Sequence, residues 1–267
     1  MRKKGKHENT SILFFISAIL LFSLFVLFKQ NILSPGKTKF DAMCILPSYI
    51  PGNNDIIKHT GYTLKYDESY EQPEWVAYKL TYEMTKGTCK RTDNFRPDPI
   101  VKTGSAEPSD YKSSGYDRGH LAPAGDMKWS DKAMSESFYM SNMSPQKPGF
   151  NRGIWKKLEE QVRQWAKDNR EIYIITGPIL SKNLPTIGKN KVAVPSYFYK
   201  VILDLKKPEI KGIGFVLPNQ SSTNPLTTYA VTIDSVEILT GIDFFPSIQD
   251  TLENRIESSL QKNKWGF

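Results

Sequence analysis

The chain carries three histidines, His7, His59 and His120, and His120 alone stands in company suited to acid–base chemistry. It closes the run Asp117-Arg118-Gly119-His120, where a carboxylate, a guanidinium and an imidazole fall within four residues. A neutral imidazole near pH 7 can take a proton from water, and a guanidinium can neutralise charge building on a phosphorane-like transition state. These are the parts that phosphodiester hydrolysis needs. Spacing alone leaves a structural, hydrogen-bonding histidine as the alternative. His59, lying apart from this run, is read as structural.

Two further segments follow in order, SNMSPQ at 141–146 and FNRGIWKKLE at 150–159. Asn151 heads an amphipathic pattern in which Ile154, Trp155, Leu158, Val162 and Trp165 recur at three- and four-residue spacing, with Lys156, Lys157, Glu160, Arg163 and Lys167 on the other faces. This predicts a helix from Asn151, at whose start an asparagine also suits an N-cap. Glu159 lies eight residues further on. In a straight α-helix that is about 12 Å of rise and an angular offset near 80°, so a joint role with Asn151 requires a bent helix start or a bridging water. Otherwise Glu159 is an exposed acid paired with Arg163 at i+4.

The elements that must position these residues are mostly strands. Tyr62, Leu64 and Tyr66 alternate, and WVAYKLTYEM follows from Trp75, which predicts a two-stranded hairpin. A polar stretch over roughly 87–115, rich in Gly and Pro, is long enough to be functional. A short helix is expected near Ser130, a strand at SFYMSN, then strands at EIYIITG, VPSYFYKVILDL, KGIGFVL and TYAVTI. Short helices are expected from Ser235 and over about Ile248 to Leu260. The class is α+β with a largely antiparallel central sheet.

DRGHLAPAGDM at 117–127, SNMSPQ and FNRGIWKKLE resemble, in order and spacing, the motifs of the DNA/RNA non-specific endonucleases of the ββα-metal superfamily, the endonuclease G-like group. Looser similarity spans roughly residues 57–260. The resemblance implies a ββα-metal motif, DNA and RNA as substrates, little sequence preference, products with 5′-phosphate and 3′-hydroxyl ends, and Mg²⁺ or Mn²⁺ as cofactor. By the same resemblance His120 is the general base and Asn151 the one protein side chain on the metal. Arg118 clamps phosphate, Asn142 is a polar positioner, and Glu159 orients water. A family arginine upstream of the long loop has two counterparts here, Arg91 and Arg96, and Asp117 is read as orienting Arg118 or supporting the turn. Other readings of the motif are an inactive membrane-anchored receptor for nucleic acid and a phosphodiesterase acting on a non-nucleic substrate.

The net charge of +8 includes Arg2, Lys3, Lys4 and Lys6 against Glu8, which is +3, and Lys29, leaving +4 for the rest. That modest excess suits a polyanionic partner. Residues 11–28, SILFFISAILLFSLFVLF, carry no charge and as a helix would span roughly 27 Å, near the thickness of a bilayer core. The run exceeds a signal-peptide core and no small-x-small cleavage site follows it, so it reads as an uncleaved signal anchor. The basic cluster before it keeps the N-terminus cytoplasmic. The expected organisation is a tail at 1–10, a transmembrane helix at 11–28, a Pro/Gly-rich stalk at 29–56 and a catalytic domain at 57–267. That domain would face a bacterial periplasm or exterior, or a mitochondrial intermembrane space. Cys44 and Cys89 either form a disulfide, worth roughly 4 kcal/mol in the chain-entropy model, or are two unrelated thiols.

Overall fold

The computed structural model describes residues 46–48 and 56–267. The anchor and most of the stalk lie outside them, and no helix among the described residues is long and apolar enough to cross a membrane. Among the described residues eleven strands run in chain order: β1 Ile56–Lys58, β2 Thr63–Asp67, β3 Gln72–Thr81, β4 Asp117–His120, β5 Met143–Gln146, β6 Glu171–Pro178, β7 Thr186–Ile187, β8 Val192–Ala193, β9 Tyr197–Asp204, β10 Lys211–Pro218 and β11 Ala230–Val231. Among the described residues five α-helices accompany them: α1 Pro108–Tyr111, α2 Asp131–Glu136, α3 Lys156–Asn169, α4 Ile233–Thr240 and α5 Asp250–Glu257.

Seven strands form one sheet in the order β1-β2-β3-β6-β9-β10-β11, and every pairing in it is antiparallel. The predicted class is observed, and β2–β3 is the hairpin that the alternation indicated. Cross-strand partners share a face. Tyr78, Ile174, Ile202 and Ile213 align on one face, as do Val76, Thr176, Lys200 and Phe215. Helix α3 packs here, burying Leu158, Val162 and Trp165, with Trp165 stacked on Phe215 at 5.9 Å. Trp155, just before it, packs on Phe198 of the same face at 5.8 Å. The other face is closed by α4 and α5. Gly212 and Gly214 of β10 admit them, because a Cβ at either position would collide with Ile233 and Ile256, or with Val236.

Several local expectations change. SFYMSN is not a strand. Its Phe138 follows α2, its Met140–Asn142 form a 3-10 turn, and the strand begins at Met143. TYAVTI contributes only β11 before Thr232 caps α4, accepting the Ser235 N–H at 3.1 Å. Ser130 caps α2 as expected. The largest difference lies before α3, where Phe150–Trp155 form a π-helical turn broken at Gly153, with φ −105° and ψ −110°. Asn151 is thus not an N-cap, and the straight-helix geometry does not apply. Such turns are frequent at functional sites.

Candidate active site

Strands β4 and β5 pair antiparallel as a separate hairpin, with Asp117 opposite Gln146 and His120 opposite Met143. The chain then passes through the π-turn into α3, so hairpin and helix make a ββα unit that gathers all three motifs. Gly119 is there for close approach rather than flexibility, since a Cβ would run into the Gln146 side chain opposite.

His120 is 8% exposed, its ring perpendicular to Phe138 at 4.9 Å and edge-on to Phe95 at 5.6 Å. Its Nε2 is buried without a hydrogen-bond partner. Burial, reinforced by the Arg91 and Arg118 charges, pushes its pKa down to about 3. The ring is therefore unprotonated at neutral pH, the state a base requires. Arg118 lies 4.2 Å over the Phe95 ring and Arg91 lies 4.7 Å over Phe138. Both guanidiniums thus rest on aromatic rings that touch His120. Arg96 is engaged elsewhere, stacking on Tyr139 and donating to the Asn94 and Ser135 carbonyls and to Ser135 Oγ. Between the two upstream arginines, the structure brings Arg91 to the histidine.

Asp117 corrects the sequence reading. Its carboxylate takes no hydrogen bond from Arg118. It accepts Asn151 Nδ2 at 2.9 Å and Arg152 in bidentate fashion at 2.8 and 2.6 Å. Partial burial pushes the Asp117 carboxyl up, but the Arg152 and Asn151 hydrogen bonds outweigh this and its pKa is lowered. A carboxylate accepts only, so Asn151 must turn its NH₂ toward Asp117 and its Oδ1 away. That oxygen makes no hydrogen bond among the described residues, and a fixed, neutral, hard oxygen of this kind suits Mg²⁺ or Mn²⁺.

Asn142 is fully buried, and its side chain is saturated by backbone. Its Oδ1 accepts the Ala122 N–H, and its Nδ2 donates to the Ala122 and Ser137 carbonyls, each at 2.9 Å. It braces the chain leaving β4 and presents nothing to a substrate. Arg163 pairs with Asp126 at 2.8 Å, not with Glu159, so the surface ion pair considered for Glu159 is absent. Glu159 instead lies half-buried near Lys200. Burial pushes the Glu159 carboxyl up and the Lys200 ammonium down, and their mutual attraction opposes both shifts. Lys200 Nζ sits 4.6 Å over Trp155 with no hydrogen-bond partner. Sequence reasoning missed it, although a lone lysine inside the apolar strand YFYKVILD was the available signal.

An open cleft of about 380 Å³, lined by Lys112, Tyr116, Asp117 and Arg118 among others, adjoins the hairpin. His59 is structural as expected, its Nε2 2.8 Å from Asp98 Oδ2 in the interior. Cys89 is a free thiol, and Cys44, with the pairing considered for it, lies outside the described residues.

A family model for DNA/RNA non-specific endonucleases matches residues 42–251. Human mitochondrial endonuclease G is 36% identical over 74% of this chain and 72% of its own length. A nuclease from Nostoc is 34% identical over 80% of this chain and 81% of its own. The mitochondrial nuclease EXOG of Danio rerio is 36% identical over 72% of this chain, which spans 61% of that longer protein. Among solved structures, a chain of the EndoG/EndoGI complex superposes with a TM-score of 0.71 and 35% identity, covering 76% of this chain and 90% of that one. With the ββα unit and its three motifs in place, these matches establish that the chain belongs to the DNA/RNA non-specific endonuclease family.

Proposed function

We propose that the protein is a metal-dependent endonuclease that hydrolyses DNA and RNA phosphodiesters with little sequence preference. The observation that carries this reading is the union, on one ββα unit, of an unprotonated His120, two ring-supported guanidiniums and an Asn151 oxygen fixed by Asp117. His120 takes the proton from the attacking water. Its Nε2 is sealed in the core, so Nδ1 is the accepting nitrogen. Arg118 and Arg91 neutralise the phosphate as negative charge builds, and their aromatic supports limit the side-chain entropy lost on binding. Asn151 Oδ1 would hold Mg²⁺ or Mn²⁺ together with water and substrate phosphate, the metal supplying Lewis-acid stabilisation of the phosphoryl oxygens. Asn142 acts through the backbone that it braces, and Glu159 orients water. Contacts that read phosphate rather than base edges carry no sequence information, which accounts for low specificity.

We further infer that residues 11–28 anchor the chain, with the nuclease domain on the side of the membrane opposite the basic N-terminus. The relatives include mitochondrial nucleases and a Nostoc nuclease, so both a mitochondrial and a bacterial setting agree with the family.

The test compares two variants on plasmid and on RNA. His120→Ala should keep metal-dependent nucleic-acid binding and lose about 10²- to 10⁴-fold in turnover. Asn151→Ala should need more Mg²⁺ and recover part of its activity at high metal. EDTA should silence the wild type. A His120→Ala protein that nicks plasmid near the wild-type rate would refute the assignment.

A further inference from the structure

We propose that the helix pair α4–α5 carries a second, structural cation site for Ca²⁺, with Asp234, Glu237 and Glu257 as carboxylate ligands and Glu253 beside them. Asp234 and Glu237 stand at i and i+3 on α4, and Glu253 and Glu257 at i and i+4 on α5. Like charges at these spacings weaken a helix, so helix formation does not call for them. The fold then brings the two faces together. One carboxylate oxygen from each of Asp234, Glu237 and Glu257 lies within 4.8 Å of the other two.

The independent sign of a ligand is Glu257 itself. It is 6% exposed, and its Oε1 is buried with no hydrogen-bond partner. Glu253 Oε1 is buried and unpartnered as well. Buried carboxylate oxygens without donors are costly and uncommon, and they call for an occupant. Among the described residues no ion pair reaches these four acids, and the one hydrogen bond to their side chains is from Phe244 N–H to Glu237 Oε1, at 2.9 Å. Burial and the nearby Glu237 and Glu253 charges push the Glu257 carboxyl up to about 8, which makes a shared proton the competing occupant.

The frame is rigid. Ile233, Val236 and Ile256 seat both helices against Gly212 and Gly214, on the sheet face away from α3. Cations there and at Asn151 would therefore be held by separate elements on opposite sides of the sheet. An all-oxygen set of charged carboxylates selects a hard divalent cation. Ca²⁺ binds oxygen at about 2.3–2.6 Å, so oxygens across it stand up to about 5 Å apart, whereas Mg²⁺ at about 2.0–2.1 Å draws them to about 4.2 Å. Oxygens no more than 4.8 Å apart fit within calcium's reach, and Mg²⁺, which prefers to keep several waters and take only one or two carboxylates, is the poorer match to this many acids.

The experiment is thermal unfolding of the chelated full-length protein with and without added CaCl₂, with calorimetric Ca²⁺ titration on the Asn151→Ala background. Calcium should raise the Tm of wild type and of Asn151→Ala alike, by about 5 °C at saturating ion. Glu237→Gln and Glu257→Gln should remove the shift and the bound ion. Should Glu257→Gln fail to fold, Asp234→Asn at a half-buried position provides the same reading and should weaken Ca²⁺ at least tenfold. The proposal is overturned if wild type shows no Ca²⁺ response, if the response survives in the carboxamide variants, or if the chelated protein gains stability only as protons are added.

Discussion

Asp117 offers the most direct test of how Asn151, the proposed metal ligand, is held. In Asp117→Ala the Asn151 amide loses the acceptor that orients it, and Arg152 loses both of its hydrogen bonds. The two losses differ in size. The Arg152 side chain is 71% exposed, so solvent screens its ion pair and the pair adds little to stability. Removing a partner that orients a metal ligand typically costs 10- to 100-fold in metal affinity, or about 1.4–2.8 kcal/mol. Stability should therefore change little, with a Tm shift of no more than a few degrees. The half-saturating Mg²⁺ for plasmid nicking should rise 10- to 100-fold, while the rate at saturating metal is largely kept. Arg152→Ala leaves the Asn151–Asp117 bond in place and should move the half-saturating Mg²⁺ by less than about threefold. The assay is initial nicking rate against Mg²⁺ concentration for the three proteins, with Tm as the folding control. A folded Asp117→Ala protein with an unchanged Mg²⁺ midpoint would refute the argument. So would an equal shift in Arg152→Ala.

Two further outcomes follow from buried charge. His120 has its folded pKa pushed down to about 3 against about 6.5 unfolded, so the unfolded chain binds the extra proton. Its contribution to stability is full above pH 6.5 and is lost as pH falls toward 3, at up to about 1.4 kcal/mol per pH unit. The stability difference between wild type and His120→Asn, from urea unfolding at pH 7 and pH 5, should shrink in the wild type's disfavour at the lower pH; a pH-independent difference would show that the ring is not buried neutral. Glu159→Gln removes the charge that most strongly opposes the effect of burial on Lys200, and it should lower Tm by a few degrees and turnover by about 10-fold or more. Unchanged activity in the folded variant would remove Glu159 from the site.

Much of this was legible in the sequence because it is local or periodic. DRGH, Asn151 and Glu159 sit in contiguous motifs, the strands announce themselves by apolar content, and the α3 stripe of Leu158, Val162 and Trp165 reports one buried face. The antiparallel class followed from the element order. Hydrogen-bond partners were not legible, because chain closure chooses them. Asp117 and Asn151 are 34 positions apart, and nothing near Asp117 indicates that it faces Asn151 rather than its neighbour Arg118. Arg163 had Glu159 at helical spacing, yet it turned to Asp126, a buried acid whose other hydrogen bond, from Tyr78, brings no charge to it. Arg91 and Arg96 read alike in sequence, and only the placement of Phe138 and Tyr139 beneath them separates the two. Strand β5, Met143–Gln146, is buried at every position and includes Pro145, so no alternation betrays it. The α4–α5 carboxylates likewise look like ordinary solvated helix faces until the two helices pack on the same stretch of β10. The sequence by itself determined the chemistry available and the elements that carry it. The tertiary structure decided which polar groups meet and which are left unpaired, because burial removes water as the alternative partner and makes every remaining contact a choice among distant residues.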